Sequence, residues 1–347
     1  MKKITYLLLI LLLLAACSND KGEVKDHGEK SVDKDNKDEA TLDGDNIYPL
    51  TGLNTDDAVD NQIISVMVNN HTVARPQSGL TEADIVFEIL AEGDITRFLA
   101  LYQSELPEVV GPVRSAREYY IDIANNYNAL YVYHGAAKFI DEMIVDKGVP
   151  YLNGATYDND GNLFKRESFR QAPHNSYLQL DAVYEVAEDK GYTTTVEYET
   201  LPFLNSDEVE TIEGDGAEHV EIVYSDDPIE IVEFDYEAET EKYVRSNDRE
   251  QIVDLNTEEP VAVDNVFIIE TYHEVIDDEG RRMVDLESGG NAYLIQKGKA
   301  QLVEWTNDNG RIVPMKDGEQ IGFVPGKTWI NVVPTSPNME QSVTISN

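Results

Sequence analysis

The chain contains one cysteine, Cys17, so no disulfide can form within it and any fold must rest on burial alone. The apolar material suffices: 347 residues, 41% of them hydrophobic, make about two domains at roughly 150 residues each. Charge is lopsided, with 67 acids against 27 bases and a formal net charge of −40. Such a surface repels nucleic-acid phosphate, which argues against a nucleic-acid partner. It also repels anionic lipid headgroups, which argues against docking on a membrane through a basic face.

The same cysteine closes a tripartite start. Lys2-Lys3 leads into an apolar run from Ile4 to Leu14, followed by Leu14-Ala15-Ala16-Cys17. A basic start, a short apolar stretch and small residues before a cleavage point form a secretory signal, assigned to residues 1–16. The run falls short of the roughly 20 residues that span a bilayer. Leu-Ala-Ala-Cys resembles a bacterial lipobox, in which the chain is cut before the cysteine and the thiol is diacylated. The expected localisation is the extracytoplasmic face of the cell membrane, with a lipid anchor at Cys17. Residues 17–45 carry five Lys against ten acids, and Ser18–Asp45 holds two Val, one Leu and no aromatic residue. That composition cannot bury enough to fold, so it is predicted as a disordered acidic tether with a reach of roughly 30 Å.

The remainder reads as α+β, in two halves. Residues 46–200 mix strands and helices. Ile63–Val68 reads as a strand, and Ile85–Leu90 and Thr96–Tyr102 as a hairpin around Glu92-Gly93-Asp94. A helix is predicted from Ser115 as N-cap, with Glu118 completing a capping box, and Tyr119, Tyr120, Ile123 and Tyr127 on one face. A strand over Ala129–Tyr133 and helices over Ala136–Asp146 and Ser176–Lys190 follow. Residues 201–218 read as an acidic linker. Residues 219–347 are predicted to be β-rich and mostly antiparallel, with strands at Val220–Tyr224, Ile229–Tyr236, Tyr243–Arg245, Val266–Thr271, Ala292–Gln296, Gln301–Trp305 and Trp329–Val333, separated by Gly- and Asn-containing turns.

Two loops imitate known ligand motifs. Gly322-Phe-Val-Pro-Gly326-Lys327-Thr328 has three residues between its glycines where a phosphate loop needs four, and a strand rather than a helix follows. Thr156–Glu167 matches a calcium loop at five positions, including Asp158, Asp160 and Glu167, but starts with Thr156 and has no helix before it. A turn over Asn159–Gly161 explains the same letters, so the expectation is no metal and no cofactor, with calcium as the alternative. No HExxH, GxSxG or CxxC is present, and the spacing of His71, His134, His174, His219 and His273 suggests no metal site.

The choice of cation is more informative. From Asp38 to Ala137 there is no Lys, yet Arg75, Arg97, Arg114 and Arg117 occur there, and Arg166 and Arg170 follow, although Lys outnumbers Arg sixteen to eleven overall. Arginine is preferred where a planar fork must hold a carboxylate or phosphate at two points. Arg114-Ser115-Ala116-Arg117 falls at a predicted helix N-terminus, which itself favours an anion. The polar loop Asn69–Gly79, with Arg75, Gln77 and Ser78, is placed to face it. The same residues also suit a buried framework with Asp84, Glu88, Glu92, Asp94 and Asp122, with Arg97 paired to Glu88 or Glu92 across the hairpin.

At these residues the chain resembles a known family. RPQSGLTEADIVFEILAEGDITRF (Arg75–Phe98), GPVRSAR (Gly111–Arg117) and APHN (Ala172–Asn175) resemble the YerB-like bacterial lipoproteins, and PLTGL (Pro49–Leu53) fits as well. Ala292–Pro334, with GKTWINVVP, is similar to that family's C-terminal domain. The resemblance implies a lipid-anchored envelope protein with an N-terminal domain of layered sheet and helices, followed by a β-rich C-terminal domain. It supplies no reaction, since the family is one of unknown function. The residues matching its motifs are Arg75, Gln77, Ser78, Asp84, Glu88, Glu92, Thr96, Arg97, Arg114, Ser115, Arg117, His134, His174 and Asn175.

Three functions compete. In a binding module, Arg75, Gln77, Ser78, Arg97, Arg114, Ser115, Arg117 and Asn175 line a site for an anionic cell-wall component or envelope protein. In a peptidoglycan-directed hydrolase or transferase, Glu88, Glu92, Asp84, His134 and His174 are the acid–base candidates. In a scaffold, the polar residues only hold two domains together. No activated nucleophile is visible, which weighs against the enzyme.

Overall fold

Ile85–Leu90 is apolar at every position but Glu88, the pattern of a strand buried on both faces, and all six of its residues are buried. The computed structural model describes residues 44–224 and 231–347. The predicted signal, Cys17 and almost all of the predicted tether fall outside those residues, as do Ile229 and Glu230 of one predicted strand. In the N-terminal half the longer elements are β1 (Ile64–Asn69), β2 (Ile85–Leu90), β3 (Thr96–Tyr102), α1 (Glu118–Asn126), β4 (Leu130–Tyr133), α2 (Lys138–Asp146), β5 (Tyr151–Asn153), β6 (Phe164–Arg166), β7 (Ser176–Gln179) and α3 (Val183–Asp189). The C-terminal half contributes β8 (His219–Val223), β9 (Ile231–Glu237), β10 (Lys242–Asn247), β11 (Asn265–Thr271), β12 (Gly290–Gln296), β13 (Lys299–Asp308), β14 (Arg311–Lys316), β15 (Thr328–Pro334) and β16 (Val343–Ser346).

One twelve-stranded sheet runs through both halves, in the order β14–β13–β12–β11–β15–β2–β3–β1–β4–β5, with short strands at Glu319–Gln320 and Asp215–Gly216 completing it. The junction is β15, which lies parallel to β11 on one side and to β2 on the other, pairing Trp329 with Val86 and Asn331 with Glu88. A second, antiparallel sheet is ordered β10–β9–β8–β16. The molecule is thus β-rich with several sheets. The described residues all belong to one compact unit, Ala40–Asn347.

Side chains along the large sheet alternate between two cores. Val66, Val86, Phe98, Val266 and Trp329 cluster with Val220, Val232 and Phe234 of the second sheet and with Val183 of α3. Met67, Phe87, Leu99, Phe267 and Val332 cluster instead with Tyr120, Ile123 and Tyr127 of α1 and Ile140 and Ile144 of α2. Glu88 falls on the first of these faces, toward the second sheet.

Two predicted helix boundaries are corrected. Helix α1 begins at Glu118 with Arg117 as N-cap, and no side chain caps it. Ser115 is held out of the helix because its neighbours bond elsewhere: Arg114 N–H donates to Met67 and Ala116 N–H to Gly135. The predicted helix over Ser176–Lys190 starts as strand β7, drawn into pairing with β6, and becomes helical only at α3 after a short 3-10 turn. The imitation phosphate loop is a turn into β15. Its Lys327 ammonium is held by Glu105 at 2.9 Å and by the carbonyl of Thr81 at 2.5 Å.

Candidate functional site

Glu88 is completely buried, and its carboxylate accepts hydrogen bonds from four residues. Thr96 Oγ1 donates at 2.8 Å, Arg245 Nη2 to both oxygens at 3.0 and 2.9 Å, Trp329 Nε1 at 2.8 Å and Asn331 Nδ2 at 3.2 Å. The Arg245 guanidinium also lies over the rings of Trp329 and Phe98, 4.6 and 5.2 Å from their centroids. A carboxylate enclosed in this way satisfies a structural ion pair and faces no solvent-filled space.

Most of the cluster arginines have carboxylate partners. Arg97, at 6% exposure, donates to Glu92 at 2.9 Å and to the Ser115 carbonyl at 3.0 Å, so of the two acids offered by the hairpin it takes Glu92. Arg117 pairs with the other oxygen of Glu92. Arg75 reaches Asp248 at 2.6 Å and the Asn70 carbonyl at 3.1 Å. Arg166 pairs with Asp158 at 2.7 Å and donates to Asn175 Oδ1 at 2.8 Å. Arg170 donates to Tyr177 Oη and to the Pro76 carbonyl, tying the 167–175 loop to the 70–79 loop.

Arg114 differs from all of these. Among the described residues its guanidinium has no hydrogen-bond or ion-pair partner, and its Nε is buried. Burial first, and the nearby Arg97 charge second, push its pKa down to about 10. Its position is fixed by the backbone. Val113 bridges Val68, Val113 N–H donates to Ser176, and Arg114 itself bonds Met67, which sets the residue between the end of β1 and the start of β7.

His174 comes from the loop that leads into β7. Asn69 Oδ1 accepts the N–H of His71 at 3.1 Å, so the Asn69 amide turns its nitrogen to His174 Nδ1, 2.8 Å away. His174 Nδ1 is then an acceptor, and the neutral ring carries its proton on Nε2. Burial, followed by the charges of Arg114, His71 and Arg170, lowers the His174 pKa and favours that neutral form. The His71 and His174 ring centroids stand 5.0 Å apart. Gln77 is buried beneath, donating to the Asn69 carbonyl at 3.0 Å and to Asn70 Oδ1 at 3.1 Å, while its own Oε1 has no partner among the described residues. Ser78 contributes only backbone bonds to Gly111.

The remaining candidates turn their side chains to other partners, although the His134 N–H donates to the Arg114 carbonyl at 2.9 Å. His134 stands 3.4 Å from Asp158 and edge-on to Phe164. Asp160 Oδ1 accepts the N–H groups of Asn162, Leu163 and Phe164 and so builds the turn, and Glu167 pairs with Lys165. All three calcium candidates therefore have protein partners. One other group with ligand spacing, His219, Glu221 and Glu233, holds the Arg249 guanidinium between its carboxylates at 2.7 and 2.5 Å.

Sequence reasoning missed Arg245, Trp329 and Asn331 around Glu88, and, although it placed the Asn69–Gly79 loop by the arginines, it missed the bond of Asn69 to His174. A charged residue inside an otherwise apolar strand was the available signal: Glu88 in IVFEIL requires a cation, and Arg245 is the fully buried one.

Known proteins bear on this arrangement in three ways. Residues 50–193 match the model described as the N-terminal domain of a protein of unknown function, DUF3048, and residues 220–330 match its C-terminal domain. Residues 1–18 match a prokaryotic membrane lipoprotein lipid attachment site. The chain is 46% identical over 288 residues to the lipoprotein YerB of Bacillus subtilis (strain 168), covering 82% of this chain and 86% of that one. It also resembles the crystal structure of the YerB protein from Bacillus subtilis, with a TM-score of 0.79 and 43% identity over 87% of this chain and 99% of that one.

Proposed function

The chain belongs to the DUF3048 family of YerB-like lipoproteins, and from that premise we propose that it is a membrane-anchored binding protein of the outer membrane face whose Arg114 site takes an anionic group of an envelope component or partner protein. The observation that carries this reading is the contrast between Arg114 and its neighbours. Arg75, Arg97, Arg117 and Arg166 are each matched to a carboxylate, whereas Arg114 keeps its five N–H donors uncommitted among the described residues. A half-buried cation with no partner costs free energy unless an anion from elsewhere completes it. The lipid attachment site at residues 1–18 supports anchoring. No observation favours the hydrolase: Glu88 is enclosed, and Glu92 is shared by two arginines.

Retention on purified wall sacculi tests the reading. The mature chain in neutral detergent is expected to bind at low ionic strength and to release at high salt, because a half-exposed guanidinium pair is screened. Arg114→Gln is expected to abolish retention. Retention that survives both the substitution and salt would overturn the assignment.

A further inference from the structure

We propose that the Arg114 site is specific for a phosphate group over a carboxylate, with the imidazoles of His174 and His71 supplying the donors that make the difference. The inference rests on Arg114 being an anion site and deepens it. A carboxylate presents two oxygens in one plane, and a single guanidinium fork satisfies it. A phosphate presents three or four oxygens in a tetrahedron, so a site built for it needs N–H donors outside the guanidinium plane.

Two imidazoles are candidates for such donors: His174, which is near enough to feel the Arg114 charge, and His71 against it, and both are held by the same device. In His174, Nδ1 faces the Asn69 amide nitrogen at 2.8 Å, and that amide cannot reverse without losing the His71 N–H bond to its oxygen. In His71, Nδ1 accepts the N–H of Val73 at 3.3 Å, capping the short 3-10 turn Thr72–Ala74. Each ring therefore has its Nδ1 committed as an acceptor and its Nε2 as the N–H, and neither Nε2 has a partner among the described residues. The rings are 5.0 Å apart and tilted by 46°, so the two imidazoles do not share a plane. Below them Gln77, at 1% exposure, fixes Asn69 and Asn70 in place. A framework of this kind is unnecessary for solvent-exposed histidines; it serves to orient them.

Competition calorimetry on the full mature lipoprotein in neutral detergent, at constant ionic strength, separates the possibilities with methyl phosphate and acetate as probes. Methyl phosphate is expected to bind at least about tenfold more tightly than acetate. His174→Ala is expected to weaken methyl phosphate by about tenfold and leave acetate unchanged, and His174→Gln, which keeps an N–H donor, is expected to restore part of the loss. Arg114→Gln is expected to lose both probes. Equal binding of the two probes, both lost in Arg114→Gln, would overturn the phosphate preference and leave the anion site standing. Binding of neither probe, or binding unaffected by Arg114→Gln, would overturn both. Two sources of phosphate are separated by further arms: a soluble poly(glycerol phosphate), and phosphatidylglycerol vesicles set against phosphatidylcholine vesicles. Binding to either that is competed by methyl phosphate supports the proposal and identifies the source.

Discussion

Glu88 of β2 and Arg245 of β10 meet at 2.9 Å with side-chain exposures of 0% and 1%, and so bind the twelve-stranded sheet to the second sheet. Removing one partner leaves the other buried and uncompensated, a loss of about 3–5 kcal/mol for a pair of this kind. Glu88→Gln and Arg245→Met are each expected to destabilise the protein to that extent in urea unfolding, and the double variant to lose much less than their sum. Additive losses would show that the two charges act independently.

His273 gives the fold an acid sensitivity. Both of its ring nitrogens are buried without partners among the described residues, and burial, with the Arg282 charge second, lowers its pKa from 6.5 to about 3. The folded state therefore binds fewer protons than the unfolded chain between those values. The contribution of His273 is complete above pH 6.5 and is lost as pH falls toward 3, by up to about 1.4 kcal/mol per pH unit. His273→Phe is expected to flatten the fall in Tm between pH 6.5 and 4 relative to the parent. Parallel Tm profiles would contradict this assignment.

Gly326 is required by geometry. Its φ is +142°, and a Cβ there would lie 2.1 Å from the Asp264 carboxylate, which accepts the Lys327 N–H at 2.8 Å. Gly326→Ala is expected to cost about 1–3 kcal/mol in denaturant unfolding, since strain and a displaced carboxylate act together. An unchanged midpoint would mean that the turn relaxes freely.

Two apolar, β-branched and aromatic runs on either side of Glu92-Gly93-Asp94 made the Ile85–Tyr102 hairpin legible, and with it the pairing of Arg97 to an acid on the same hairpin. Such contacts are local: Arg97 and Glu92 are five residues apart. Glu88 and Arg245 are separated by 157 residues, and no local pattern links them. The same holds for β15, whose apolar run announced a strand but not its insertion between β11 and β2. The Ser115 cap failed for a related reason. The local motif was sound, but distant carbonyls at Met67 and Gly135 claimed the flanking N–H groups. At the candidate site, the preference for arginine singled out a segment in which most arginines pair with carboxylates of the fold. It did not distinguish the framework arginines from Arg114, because that distinction depends on where Asp248, Glu92 and Asp158 lie in space.

Whether Arg114 is held for a ligand and not for the fold is decided by one paired measurement. Urea unfolding and salt-dependent retention on wall sacculi are compared for the parent chain and Arg114→Gln. Arg114→Gln is expected to be at least as stable as the parent, since it removes a half-buried cation that has no partner in the fold, and to lose retention. A variant that unfolds several kcal/mol earlier, or one that is retained as before, would contradict that expectation.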